Sequence, residues 1–443
     1  MSMNRRTFIR QATFTMGSVT MCSWLETANL WAQGGTECTL PSDKATPWTP
    51  DERKVLKRFS TAEMGQPGHA AALAKYRDAI CKMHALPASD VIGWDKQIAQ
   101  HCLNCAPTKP DNIHYSQYFL PWHRAFLYSL ERILRKLGGD DDLRLMYWNW
   151  EQDRTVPAIY SQAKQCLFYQ NRGFQGLSTS DVNVQPLLTT ATWEEFGGGA
   201  SGDAGAAFGG PHANVHDAFN GDMSNLQYSP RDPIFYAHHG NVDRLWSSWI
   251  NAGHKNPDFG QDKVYFYDED RKFRSILLND LRDEKKLGYE YSSLMTLPFR
   301  VPVKVFPMLL NRAIVQPPDP DTQRQILSEA PPSRTLVIHN IKGLEKLPEN
   351  ANTFGIFADE DPKVGAVAEQ EPGFVGRVAT VKAGETNLKG PLTAALDIAP
   401  KMSSMINKDK KSFRMTVAPI DRKTGKTTAP AIPLEADKVA LVQ

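Results

Sequence analysis

The chain has 443 residues, too long for one ordinary core, so two domains and a processed end are expected. Lysine and arginine number 51 against 49 aspartate and glutamate, a net charge of +2 with no block of like charge, which excludes a nucleic-acid surface and a polybasic membrane anchor. Aromatic residues make up 10%, with 10 Trp, pointing to large buried cores and an aromatic-lined pocket, whereas a mean hydropathy of −0.43 excludes an integral membrane protein.

Residues 4–10 read NRRTFIR and precede a mildly apolar stretch from Ala12 to Leu25, with no acidic residue before Glu26. Paired arginine before such a stretch looks like a twin-arginine export signal, too short and too rich in Ser and Thr to span a bilayer. Residues 1–33 are therefore expected to be an export signal, with cleavage between Ala28 and Gly35 and a periplasmic or secreted product. Cys22 leaves with it, so five of six cysteines remain, at 38, 81, 102, 105 and 166. An exported protein with an odd count is expected to form disulfides and keep one cysteine for another task, and Cys105 is the candidate.

From Trp94 the spacing puts Trp94, Ile98, His101 and Cys105 on one helix face, with Cys102 about 100° away. The segment FLPWHRAFLYSLERIL predicts a second helix whose stripe is His123, Leu127, Leu130 and Leu134. In GGPHANVHDAFNGD, Gly209 and Gly210 are a flexible entry, Pro211 suits a first helical position, Gly221 is a stop, and His212 and His216 share a face. RDPIFYAHHGNVDRLWSSWI predicts a further helix after Pro233, with Phe235, His239, Asp243 and Trp246 on one side and His238, Val242, Leu245 and Trp249 beside them.

QPPDPDTQRQILSEAPPS, with five prolines, reads as a linker. Beyond it RTLVIHNI, NTFGIF, FVGRVATVKA, FRMTVAPI and KVALVQ are short β-branched runs that suggest a β-sandwich or barrel. The expected organisation is thus an export signal (1–33), a mainly α catalytic domain (34–300), a Pro-rich linker (301–333) and a C-terminal β-sandwich-like domain (334–443).

Seven of the 11 histidines, at 101, 114, 123, 212, 216, 238 and 239, fall in the central region, mostly on helix faces. A lone buried histidine is ordinarily a hydrogen-bonded core residue, but two apolar stripes ending in imidazole, together with an i,i+4 pair, point to metal ligation. Imidazole-only ligation suits copper or zinc, not calcium or magnesium. With neither an HExxH base nor a carboxylate in the motif, a zinc hydrolase is disfavoured, leaving oxygen chemistry at a copper pair.

HCLNC, FLPWHRAFL, PHANVH and RDPIFYAHHGNVDRLW, in that order, resemble the copper A and copper B motifs of the type-3 copper polyphenol oxidases, the tyrosinase and catechol oxidase family. The cysteine four residues after the first histidine is similar to the plant-type branch, and with the export signal this implies a bacterial member near that branch. The resemblance implies a four-helix bundle holding two copper ions, with His101, His114 and His123 on copper A and His212, His216 and His239 on copper B. It also implies a Cys105–His114 thioether and a Cys38–Cys102 disulfide. On the residues alone, Cys105 could instead form a disulfide with Cys81 or Cys166; a Cys81–Cys166 bond is the remaining guess. His239 is chosen over His238 because the second histidine of the family's HHxNVDR pattern is the ligand. It shares a face with Asp243, whose carboxylate could orient a ligand imidazole. Tyr289 and Tyr291 in GYEY resemble the motif that closes the catalytic domain, while the tail lacks the KFDV signature.

The pattern departs where ortho-hydroxylation of monophenols is thought to need a glutamate and an asparagine: those positions are Phe208 and Ala213, with Asn214 one place later. Asp217 is therefore expected as a base or a contact for amine-bearing substrates, against the plain reading of a solvated helix carboxylate. Leu226 occupies the gate position over copper A, and with Ala213 on the pocket wall a wide entrance is expected. The implied activity is oxidation of o-diphenols to o-quinones by O2, extending to monophenols. The alternatives are a catechol oxidase only, an o-aminophenol oxidase or, from another class, a non-enzymatic O2- or copper-binding protein. Partners are phenols and O2, without nucleic acid or a stable membrane anchor.

Overall fold

The computed structural model describes residues 45–52, 54–103, 113–200, 202–297, 304–328, 334–383, 386–406 and 410–443. The export signal, Cys22, Cys38, Cys105 and the side chain of Cys102 lie outside the described residues, and with them the expected thioether and the Cys38–Cys102 bond. No described helix is long and apolar enough to cross a membrane.

Residues 42–443 form one compact unit with a helical core and a C-terminal β part. Helix Phe119–Gly138 is its axis. His123, Leu127, Leu130 and Leu134 are buried as the stripe requires, but so is almost every residue from Phe119 to Leu134, because helices Ala70–His84 and Ile234–Asn251 pack on it from different sides. It ends at Gly139, whose φ of 60° places it in the left-handed region that glycine tolerates at a helix terminus. The Ile234–Asn251 helix approaches the chain closely at Gly240, where a Cβ would stand 2.7 Å from the Met146 carbonyl oxygen. Cys81 and Cys166 form a disulfide, which makes the guess a finding and removes both as partners for Cys105.

The helix expected between Pro211 and Gly221 is shorter. Residues Phe208–His212 make a widened turn with Gly210 outside helical geometry, and regular helix runs only Ala213–Asp217. Gly221 is needed for close packing: a Cβ there would lie 1.7 Å from the Asn171 carbonyl oxygen.

Residues 301–333 are not a bare linker. They hold the hairpin Val305–Asn311 and Ile314–Gln316 and the helix Pro320–Ser328, which buries Gln323 and Ile326. The hairpin belongs to the C-terminal sheet, since Val305–Asn311 pairs with Lys438–Val442 and Ile314–Gln316 with Phe413–Ile420. Pro307 and the short second strand hid it. All five β-branched runs form strands, at Thr335–Ile341, Thr353–Ala358, Phe374–Ala379, Phe413–Ile420 and Lys438–Val442. Together with Leu392–Asp397 and the hairpin they make one antiparallel sheet, whose end strands meet where a Gly376 Cβ would touch Leu396 at 2.9 Å.

Candidate metal centre

The segments carrying the seven histidines converge. His101, His114 and His123 form one group and His212, His216, His238 and His239 another, with the ligating atoms of each group within 4.8 Å of one another. Every one of these side chains is 2% exposed or less. Burial pushes all seven imidazoles below their ordinary value, and neighbouring imidazoles add to this at most of them. His123 falls to about 3 and His216 to about 4. They are neutral lone-pair donors near pH 7, the form a metal ion binds.

Backbone carbonyls orient four rings. Nδ1 of His101 donates to Leu226 O at 2.9 Å, His123 to Phe119 O at 2.7 Å, His212 to Phe208 O at 3.2 Å and His216 to Met223 O at 2.6 Å. With the proton fixed on Nδ1, each Nε2 carries a bare lone pair. Nε2 of His101 and His123 then face each other at 3.3 Å with no proton between them, a repulsive contact unless a cation lies there. Two nitrogens bound at about 2.0 Å around a tetrahedral ion stand about 3.3 Å apart. Nε2 of His216 and His239 meet similarly at 3.4 Å. The donor set fits two borderline transition-metal ions.

Aromatic rings line the centre. Phe235 lies 4.2 Å from His239 and 5.0 Å from His101, centroid to centroid, and Phe208 lies 5.1 Å from His212 and 6.1 Å from His114. The position where the family's glutamate is absent is thus filled by a ring in contact with two imidazoles. Ala213 is buried next to His212, and Leu226 is buried with its carbonyl on His101.

Two expectations are corrected. Asp243 does not orient an imidazole: its carboxylate accepts from Arg124 Nε at 2.5 Å, Tyr289 Oη at 2.6 Å, Tyr291 Oη, and Arg58 Nη1 at 3.5 Å, while His239 Nδ1 has no hydrogen-bond partner. Burial alone would raise its pKa, but the two guanidiniums and two phenol hydroxyls hold it below the ordinary carboxylate value. The helix face is as predicted, yet Asp243 sits one turn beyond His239 and reaches the arginines of neighbouring elements first. Asp217 turns away from the imidazoles to the C-terminal sheet, accepting from Thr353 Oγ1 with Arg422 Nη1 3.9 Å away. Burial raises its pKa against the pull of Thr353 and Arg422.

Sequence reasoning missed the orienting carbonyls, since any residue offers one. Two of them, Phe119 and Phe208, stand four residues before the histidine they hold, so a histidine in a first helical turn was the available signal. Arg58 and Arg124 were missed for want of a motif.

Residues 91–176 and 159–252 match the family described as the common central domain of tyrosinase, and residues 254–301 match the polyphenol oxidase middle domain. Polyphenol oxidase E, chloroplastic, of Solanum lycopersicum is 28% identical over 433 residues, covering 80% of this chain and 73% of the relative. Catechol oxidase B, chloroplastic, of Solanum tuberosum is 30% identical over 291 residues, covering 53% and 49%. Among solved structures, latent apple tyrosinase superposes with a TM-score of 0.67 at 22% identity over 90% of this chain and all of that one, a likeness of fold. The two histidine groups and these matches agree on a dinuclear copper centre that oxidises phenols with O2, and the chain belongs to the tyrosinase-type polyphenol oxidases.

Proposed function

We propose that His101, His114 and His123 hold one copper ion and His212, His216 and His239 the other, on four helical segments acting as a four-helix bundle, and that the enzyme is primarily an o-diphenol oxidase. The observation that carries the ligand choice is the position of His239. Its ring stacks on His123 at 4.3 Å and 10°, and its Nε2 meets that of His216, so it stands between the two groups. His238 belongs to the second group alone, packing against His216, His212 and Trp150.

When bound, a copper pair supplies O2 binding and the electron acceptance that takes two electrons from each o-diphenol. The chain's own residues do the rest. The four carbonyls hold the imidazole protons on Nδ1, so Nε2 stays available without reorganisation. Phe235 and Phe208 exclude water and offer ring faces to an aromatic substrate.

The β part covers this centre. Ala204 N donates to Pro391 O at 3.0 Å, Thr393 N to Ala204 O at 2.8 Å and Leu226 N to Lys382 O at 2.7 Å, so chain on both sides of His212 and His216 is bonded to it. Buried Asp181 accepts from Arg422 at 2.9 Å and pairs with Arg377 at 2.8 Å. We read this arrangement as a shielded state; the apple tyrosinase that shares the fold is itself a latent form. Release of the tail would free Asp217 from Thr353 and Arg422, and monophenol hydroxylation is assigned to the released state.

The test is oxygen uptake with L-DOPA and L-tyrosine before and after limited proteolysis. Diphenol oxidation in both states, with tyrosine turnover only after release, supports the reading; equal tyrosine turnover in both states refutes the link to Asp217. The NRRTFIR segment is read as a twin-arginine export signal.

A further inference from the structure

A second kind of metal-ligating cluster lies away from the seven histidines, where the β part meets the helical part. Glu194, Asp203 and His339 bring one ligating atom each to within 4.8 Å of one another. Glu194 stands on the short helix Trp193–Gly197, Asp203 on the following loop and His339 on strand Thr335–Ile341.

His339 is 6% exposed, and neither ring nitrogen has a hydrogen-bond partner. Its Nε2 is 3.9 Å from Glu194 Oε1, too far for a hydrogen bond, so the nearby carboxylate does not satisfy it. A buried imidazole with both nitrogens unsatisfied costs free energy that a bound ion would relieve. Asp203 is 3% exposed, and its carboxylate lies against Gly199, where a Cβ would stand 2.5 Å from Oδ1; the glycine makes room for it.

Backbone bonds fix these groups relative to one another. Thr393 N donates to the carbonyl of Ala204, beside Asp203, while Thr393 Oγ1 accepts from Asn340 N, beside His339, at 3.4 Å. One residue therefore positions both neighbours. Glu194 is the exposed member, with its side chain 54% exposed. Imidazole and carboxylate ligands at about 2.0–2.2 Å in a tetrahedral site stand about 3.3–3.6 Å apart, so Glu194 would close on His339 by a few tenths of an ångström as the three draw in from within 4.8 Å, with water as fourth ligand.

We propose that Glu194, Asp203 and His339 form a third metal site, distinct from the copper pair, that takes a zinc-class divalent ion and staples the β part to the helical part. One nitrogen and two carboxylate ligands favour such an ion over calcium, which takes oxygen alone. The site does not depend on which phenols the enzyme oxidises.

The test uses full-length, copper-loaded protein titrated with zinc sulfate by calorimetry, followed by elemental analysis of the gel-filtered product. The expected result is one zinc per chain with copper retained. Removal of a direct ligand in Glu194→Gln or His339→Ala should weaken binding by no less than the about 10–100-fold typical of losing an outer partner. Glu194 is exposed, so its variant keeps the test valid if His339→Ala does not fold. Cobalt(II) should give visible absorption bands that the same variants lose, a readout independent of oxidase activity. No zinc beyond the copper, equal zinc in wild type and Glu194→Gln, or zinc taken up only as copper leaves would each overturn the site.

Discussion

His216 and His239 direct Nε2 at each other across 3.4 Å, while His216 commits Nδ1 to the Met223 carbonyl at 2.6 Å. Two imidazoles on separate helices are thereby aimed at one point. His239→Ala is expected to lose one copper per chain and to lower diphenol kcat by about a hundredfold or more, since even outer partners of a metal site cost about 10–100-fold. His238→Ala is expected to keep both ions and most of the activity. Metal counting on the two variants decides the matter, and the opposite pattern would reverse the assignment.

The latch at Asp181 predicts a gain of activity from loss of contacts. Arg377 and Arg422, both from the β part, converge on a carboxylate that is 2% exposed. Removing both arginines leaves that carboxylate buried and unpaired as long as the tail stays docked, a cost of about 3–5 kcal/mol on the docked state. Arg377→Ala with Arg422→Ala should raise kcat/KM for L-DOPA at least tenfold, equivalent to about 1.4 kcal/mol of docking. Unchanged turnover in a folded double variant would show that the β part does not limit access.

Asp243 ties the Ile234–Asn251 helix to Arg58, Arg124 and the two tyrosines. Asp243→Asn should destabilise the protein by about 3–5 kcal/mol at pH 7, because two buried guanidiniums lose their shared anion. The folded-state pKa lies below the ordinary 3.8, so this contribution is whole above that value and is lost as pH falls through the lower folded one. Denaturant melts of wild type and variant should converge only in strong acid; convergence near pH 6 would contradict the network.

The Cys81–Cys166 bond closes a loop with a sequence separation of 85. Replacing both with serine should cost about 2–5 kcal/mol by chemical unfolding with copper content unchanged. A parallel loss of copper would mean that the bond holds the centre as well as the fold.

The histidine positions were legible because each copper-binding motif carries its own helical phase: His123 and His239 sit on apolar stripes that the core requires, and both are buried. The sheet was legible in five of its strands for the same reason, a β-branched run between turn residues. What the chain did not disclose is non-local. Asp243 and His239 do share a face, but the partner of Asp243 is chosen by Arg58 and Arg124, which lie 185 and 119 residues away in sequence. Asp217 looked like a pocket residue from its place after His216, and only the docking of Thr353 reveals where its carboxylate goes. The hairpin at 305–316 was masked by Pro307 and a short second strand, and its partners Phe413–Ile420 and Lys438–Val442 lie far along the chain.

A copper pair that oxidises diphenols is the feature on which every functional statement above depends. Purified protein, loaded with copper and treated with protease to release the tail, should be assayed for metal content and for oxygen uptake with L-DOPA beside quinone absorbance. Two copper ions per chain with matched oxygen consumption and quinone formation is the predicted result. Two bound copper ions without either would contradict it and would make the centre a carrier or store of oxygen or metal.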